Sequence, residues 1–186
     1  MALTQEKIVS NTKKYFETAT KYGFMNDELM SFLGESFIKA PASTMDSLHN
    51  AFEGGLIDHL LRVAFYAVRF NNALPEDKQV DQSSLLKVCL LHQIGKANLY
   101  VPCESEWHRK NQGKMYDFNN DLVSMRTSER SVYYALSHGV KFTEEEYSAI
   151  LMSDKSDDQM AQYHNSIIGE LLKVSNTFAV KHEKAE

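Results

Sequence analysis

Two histidines and their neighbours carry most of the chemistry that residue type and spacing suggest. His59 follows Gly54-Gly55-Leu56-Ile57-Asp58, and His92 closes the apolar run Leu85-Leu86-Lys87-Val88-Cys89-Leu90-Leu91. Neutral imidazoles bind divalent transition metals, which acidify a bound water and polarise a phosphoryl group. Such a centre needs a carboxylate to offset the charge of the ion. Here His92 is followed by Gln93, whose amide offers only a neutral carbonyl oxygen. Two cations stand close in sequence, Arg62 after His59 and Lys96 after His92. Facing one cavity, they would hold an anion or nucleotide without metal through charge-assisted hydrogen bonds. Otherwise they reach solvent or pair with nearby acids.

The elements that must position these groups are helical. Leu85–Leu91 is too densely apolar for a half-exposed face, which predicts a buried helix ending at Ile94-Gly95. The helix carrying His59 places Leu56, Leu60, Val63, Ala64, Ala67, Val68 and Phe70 at helical spacing and breaks near Asn71-Asn72. Ahead of it, residues 3–22 form one helix, and a second starts at the cap Asn26-Asp27 and ends at Pro41. Leu99-Tyr100-Val101 and Lys114–Phe118 flank the polar stretch Glu104–Gly113, a pattern for a small β-hairpin near 98–118 with a solvated tip. A helix over 128–137 follows, then a capping box of Thr143 and Glu146, then a last helix over 165–182. That helix is expected to bury Ile167, Ile168, Leu171, Leu172, Val174 and Phe178, with Lys181–Glu186 a frayed charged tail. The fold class expected is all-α with one hairpin insertion, the N-terminal helices of residues 1–40 packing on residues 41–186.

Four segments together resemble the HD superfamily of metal-dependent phosphohydrolases across residues 40–184. They are Gly54-Gly55-Leu56-x-x-His59, Leu90-Leu91-His92-Gln93-Ile94-Gly95-Lys96, Thr127-Ser128-Glu129-Arg130-Ser131-Val132, and Gly139 through Tyr147. The resemblance implies an HD-domain-like helical bundle with metal ligands at His59 and His92. It also implies that four ligand positions are altered: Gln93 and Asn176 stand where the family has Asp, and Thr127 and Ser153 where two-metal members have His. Lys96 matches a family lysine that contacts phosphate. No carboxylate remains at those positions, and two imidazoles alone make a weak transition-metal site.

The expectation is therefore an HD-fold protein with a degenerate metal site, a pseudo-phosphohydrolase acting as a binding or structural component. No cofactor is expected, or at most a weakly bound divalent transition metal at His59 and His92. Two other readings stand beside it. One is a phosphohydrolase or nucleotidase on a remodelled site of His59 and His92 with acids such as Asp58 or Glu53. The other is a metal-free nucleotide sensor using Arg62 and Lys96. The partner is then an unidentified protein or a small nucleotide, and a homodimer is open. Compact sequences of this pattern resemble HD-domain proteins of bacteria and their phages, and the localisation expected is cytoplasmic, or that of a phage-encoded intracellular or virion component.

Other features give bland readings. With 186 residues, 43% hydrophobic and 24% charged, the composition is that of an ordinary globular chain. A net charge of −5 argues against general nucleic-acid binding, which requires clustered Lys and Arg. No secretory signal or membrane-length apolar run is visible. Cys89 and Cys103 fit neither a disulfide framework nor a zinc motif. His49 and Asp46 precede the Gly-Gly turn and approach the cavity or serve the loop. His108, beside Trp107, belongs to the solvated hairpin tip, while His138, His164 and His182 complement helix ends. Asp154, Asp157 and Asp158 lack the Gly and Glu of a calcium loop and read as solvated.

Overall fold

Side-chain caps set most of the helix starts in a computed structural model that describes residues 2–156 and 165–184. Thr4 accepts from the Lys7 N–H to open α1 (Gln5–Lys21), and Asn26 accepts from Leu29 N–H at 2.8 Å to open α2 (Asp27–Lys39). Asp81 does the same for α4 (Gln82–Leu91), and Ser166 for α8 (Ile167–Glu183). Between them lie α3 (Gly55–Asn72), α6 (Thr127–Ser137) and α7 (Glu144–Met152). The capping box expected at α7 forms: Thr143 and Glu146 each satisfy the other's backbone N–H.

The protein is mostly helical with one small antiparallel sheet. α3 packs chiefly on α8 and α4, and their apolar stripes meet α1, α2, α6 and α7 in one continuous core. Tyr15 of α1 is fully buried there, and its hydroxyl donates to the Leu90 carbonyl at 2.8 Å. Burial pushes its phenol pKa up. Among the described residues no helix is long and apolar enough to cross a membrane.

Several expectations need correction. The central helix stops at Leu91, not at Ile94-Gly95, and Ile94–Lys96 form a separate 3-10 turn. Gly95 therefore serves close approach and not termination. A Cβ there would lie 2.7 Å from Thr127 O and 2.8 Å from Ser131 N, so only glycine lets the turn seat against α6. The second N-terminal helix is broken at Gly34 (φ 47°, ψ −151°), a conformation L residues avoid.

The hairpin exists, with β1 (Tyr100–Pro102) antiparallel to β2 (Tyr116–Phe118) and Tyr100 opposite Phe118. Its tip is not a loop, however: α5 (Glu106–Gln112) stands there, capped by Ser105 and ended by Gly113 in the left-handed region. A Glu106–Lys110 pair at helical spacing, 2.5 Å apart, favours that helix. On α8, Ile167, Val174 and Phe178 are exposed and do not join the core, because the buried stripe runs through Ile168, Leu172, Ser175, Ala179 and Glu183. The expected frayed tail is thus helical and partly buried through Glu183. Asp157, Asp158 and His164 lie outside the described residues.

Candidate functional site

The loop before α3 is built to bring a third histidine inward. Asn50 adopts φ 45°, and its carbonyl accepts from Ala42 N–H at 3.0 Å. A Cβ on Gly55 would lie 2.3 Å from that same carbonyl oxygen, so the glycine is required for the helix to start against the loop. Ser43 Oγ donates to His49 O at 2.6 Å, and Lys96 Nζ donates to Ala42 O at 2.6 Å. This pinned segment sets the His49 ring 4.8 Å from the His59 ring, and the His92 ring lies 6.3 Å from that of His59.

His59 is fully buried and bonded at both ends of its ring. Nδ1 lies 3.0 Å from each carboxylate oxygen of Glu183, and Nε2 lies 2.9 Å from Asn176 Oδ1. Both partners come from α8. His92, also buried, donates from Nδ1 to Cys89 O at 2.8 Å, a C-terminal cap of α4. Its Nε2 is buried with no hydrogen-bond partner, as are Gln93 Oε1 and His49 Nε2. Burial depresses all three imidazoles to about 3, and the positive charge of Lys96 adds to the effect. They are neutral. Burial likewise holds Lys96 down at about 8 despite the pull of Glu183.

Glu183 offers only acceptor oxygens to Nδ1, and the Asn176 amide stands at Nε2, so both edges of the His59 ring are engaged.

Arg62 and Lys96 do not open together onto free space. Arg62 Nε is 3.4 Å from Glu183 Oε1, and its Nη2 is 3.5 Å from Asp58 Oδ2. Asp58 in turn accepts from Asn11 at 2.8 Å and Asn50 at 3.1 Å. Two clefts of about 420 and 460 Å³ reach this corner from outside, both lined by Asn50, Phe52 and Glu183.

The remaining altered positions lie elsewhere. Thr127 begins α6, and Ser153 ends α7 with its hydroxyl bonded to Ile150 O at 2.7 Å. Asp154 next to it is exposed in a turn, as expected, and also accepts from Ser128 N–H at 3.2 Å, at the start of α6. Thr127 and Asp154 line a separate cleft of about 670 Å³ with Tyr100 and Arg130. The structure thus joins His59 to Asn176 by a hydrogen bond with the His92 ring 6.3 Å from that of His59, while Thr127 and Ser153 sit at the ends of α6 and α7.

The family's metals find poor donors here. His59 and His92 would supply two Nε2 atoms, but Gln93 and Asn176 add only neutral amides, and buried Lys96 stands within electrostatic reach of both rings. With no anionic donor at those positions, the residues do not fit a charge-compensated two-metal centre. One group escaped sequence reasoning. Glu183 is the buried carboxylate of the site, where Asp58 or Glu53 was expected; Asp58 is held by Asn11, Asn50 and Arg62, and Glu53 is exposed. His49 belongs to the cluster and not merely to its loop.

Comparison of the chain with protein-family models, with curated proteins and with solved structures finds no match.

Proposed function

We propose that this is an HD-like helical protein that does not hydrolyse phosphoesters and acts as a binding or structural component. The observation that carries the reading is the contact of Asn176 with His59 Nε2 at 2.9 Å, at the position where the resemblance expects a metal-ligating aspartate. The amide occupies the ring edge a metal would use and brings no charge to stabilise one. Arg62 and Lys96 are directed to Glu183, Asp58 and Ala42 O, which gives a nucleotide sensor at these two residues little support. A binding role draws support from the face shared by α3 and α8, where Phe65, Val174 and Phe178 are exposed beside Tyr66 and Phe70.

Purified protein is to be assayed against phosphomonoesters, phosphodiesters and nucleotides with Mn²⁺, Fe²⁺, Ni²⁺ or Zn²⁺. No turnover above background is expected with any combination. Turnover that disappears in His92→Ala would overturn the reading and establish a hydrolase on a remodelled site.

A further inference from the structure

We propose that His49, His59 and Glu183 form a mononuclear site for a divalent transition metal, on the opposite edge of the His59 ring from the one the HD resemblance implies. The proposal rests on the reading that Asn176 closes the Nε2 edge. One donor atom from each of the three residues lies within 4.8 Å of the others, a His-His-carboxylate set that suits Zn²⁺ or Co²⁺. Metal–ligand bonds of roughly 2.0–2.2 Å place tetrahedral donors about 3.4 Å apart, so closing the set draws the widest pair together by up to about 1.4 Å.

Three features point to a cation at this corner. Asn176 holds the Nε2 edge of His59 at 2.9 Å and so fixes the ring with Nδ1 towards Glu183, as an outer-shell partner does around a metal-bound imidazole. Glu183 puts both carboxylate oxygens 3.0 Å from that nitrogen, a contact that is an Nδ1–H hydrogen bond without a cation and gives up its proton when a metal binds. His49 Nε2, buried and unpartnered, supplies the third donor. Unlike the Nε2 edge, this one has an anionic ligand. Asp58 offsets the neighbouring Arg62, and the clefts lined by Asn50, Phe52 and Glu183 provide an entry path.

The test uses the full chain stripped with chelator and titrated with Co²⁺ and Zn²⁺, read by the cobalt ligand-field spectrum and by calorimetry. One equivalent is expected to bind with a tetrahedral cobalt spectrum. Glu183→Gln and His49→Ala should each weaken binding at least about 10-fold, while His92→Ala leaves it within about 3-fold. His49 is partly exposed and its removal leaves the core intact, so that variant remains informative if Glu183→Gln fails to fold. No binding by the wild type would overturn the proposal and make the Glu183 contact a plain Nδ1–H hydrogen bond. Binding lost in His92→Ala and kept in His49→Ala would also overturn it, placing the metal on the Nε2 edge. Neither result depends on turnover, which alone decides the hydrolase question.

Discussion

Two serines a single helical turn apart on α6 should respond in opposite ways to the same substitution. Ser131 Oγ accepts from Gly95 N–H at 2.9 Å and lies 2.9 Å from His92 O and 2.8 Å from Thr127 O, its one proton going to either carbonyl. It pins the turn that follows His92. Ser128 is equally buried, 1% exposed like Ser131, yet its hydroxyl has no partner. Ser131→Ala strands a buried N–H and removes the hydroxyl's hydrogen bond to the His92 or Thr127 carbonyl. At about 1–3 kcal/mol for an unsatisfied buried group, the loss is about 2–4 kcal/mol. Ser128→Ala removes a hydroxyl whose desolvation nothing offsets, so it should be neutral or stabilise by up to about 1 kcal/mol. Urea unfolding followed by circular dichroism measures both. In thermal melts a domain of this size shifts by about 2–4 °C per kcal/mol, a clear separation. If Ser131→Ala lies within about 0.5 kcal/mol of wild type, or Ser128→Ala costs more than Ser131→Ala, the hydrogen-bond assignment at this turn is wrong.

Gly95→Ala should destabilise by at least about 1–3 kcal/mol through backbone overlap with Thr127 and Ser131, with denaturation midpoints as the check. Glu146 is buried beside Lys87 at 2.8 Å and also closes the cap of α7, so Glu146→Ala should cost about 2–4 kcal/mol; a loss below about 1 kcal/mol would show the pair to be idle. Acid should unfold the protein early. His92 has its folded pKa depressed to about 3, below the unfolded 6.5, so the unfolded chain takes up the proton first. Its contribution is constant above pH 6.5 and lost as pH falls from 6.5 towards 3, at up to about 1.4 kcal/mol per pH unit. Urea midpoints at pH 7, 6 and 5 that do not change would contradict a buried neutral His92.

The helices were legible because caps and apolar spacing are local signals. Asn26 and Thr143 each announced a start that the structure contains. The helical hairpin tip was hidden because α5 has no buried residue and hence no apolar period; only Ser105, Gly113 and the Glu106–Lys110 spacing marked it. Glu183 was hidden by chemistry. It sits in a charged run that reads as solvated, although it continues the stripe of Leu172, Ser175 and Ala179 at the same spacing. Extending that stripe past the last apolar residue would have found it. His49 had only its place before the Gly-Gly turn to mark it, since its approach to His59 depends on the left-handed Asn50 and on the clearance at Gly55, neither of which is periodic.

The two side chains that complete His59 arrive from 117 and 124 positions away along the chain, on a single helix. Contacts of that span close a large loop, and such contacts form late in folding. The imidazoles at the heart of the fold are consequently sealed by the element most distant from them in sequence. Their accessibility to a histidine-modifying reagent would then report how often the end of α8 lifts away, a local opening equilibrium distinct from global unfolding. The cluster would serve as a built-in gauge of whether this helix is docked.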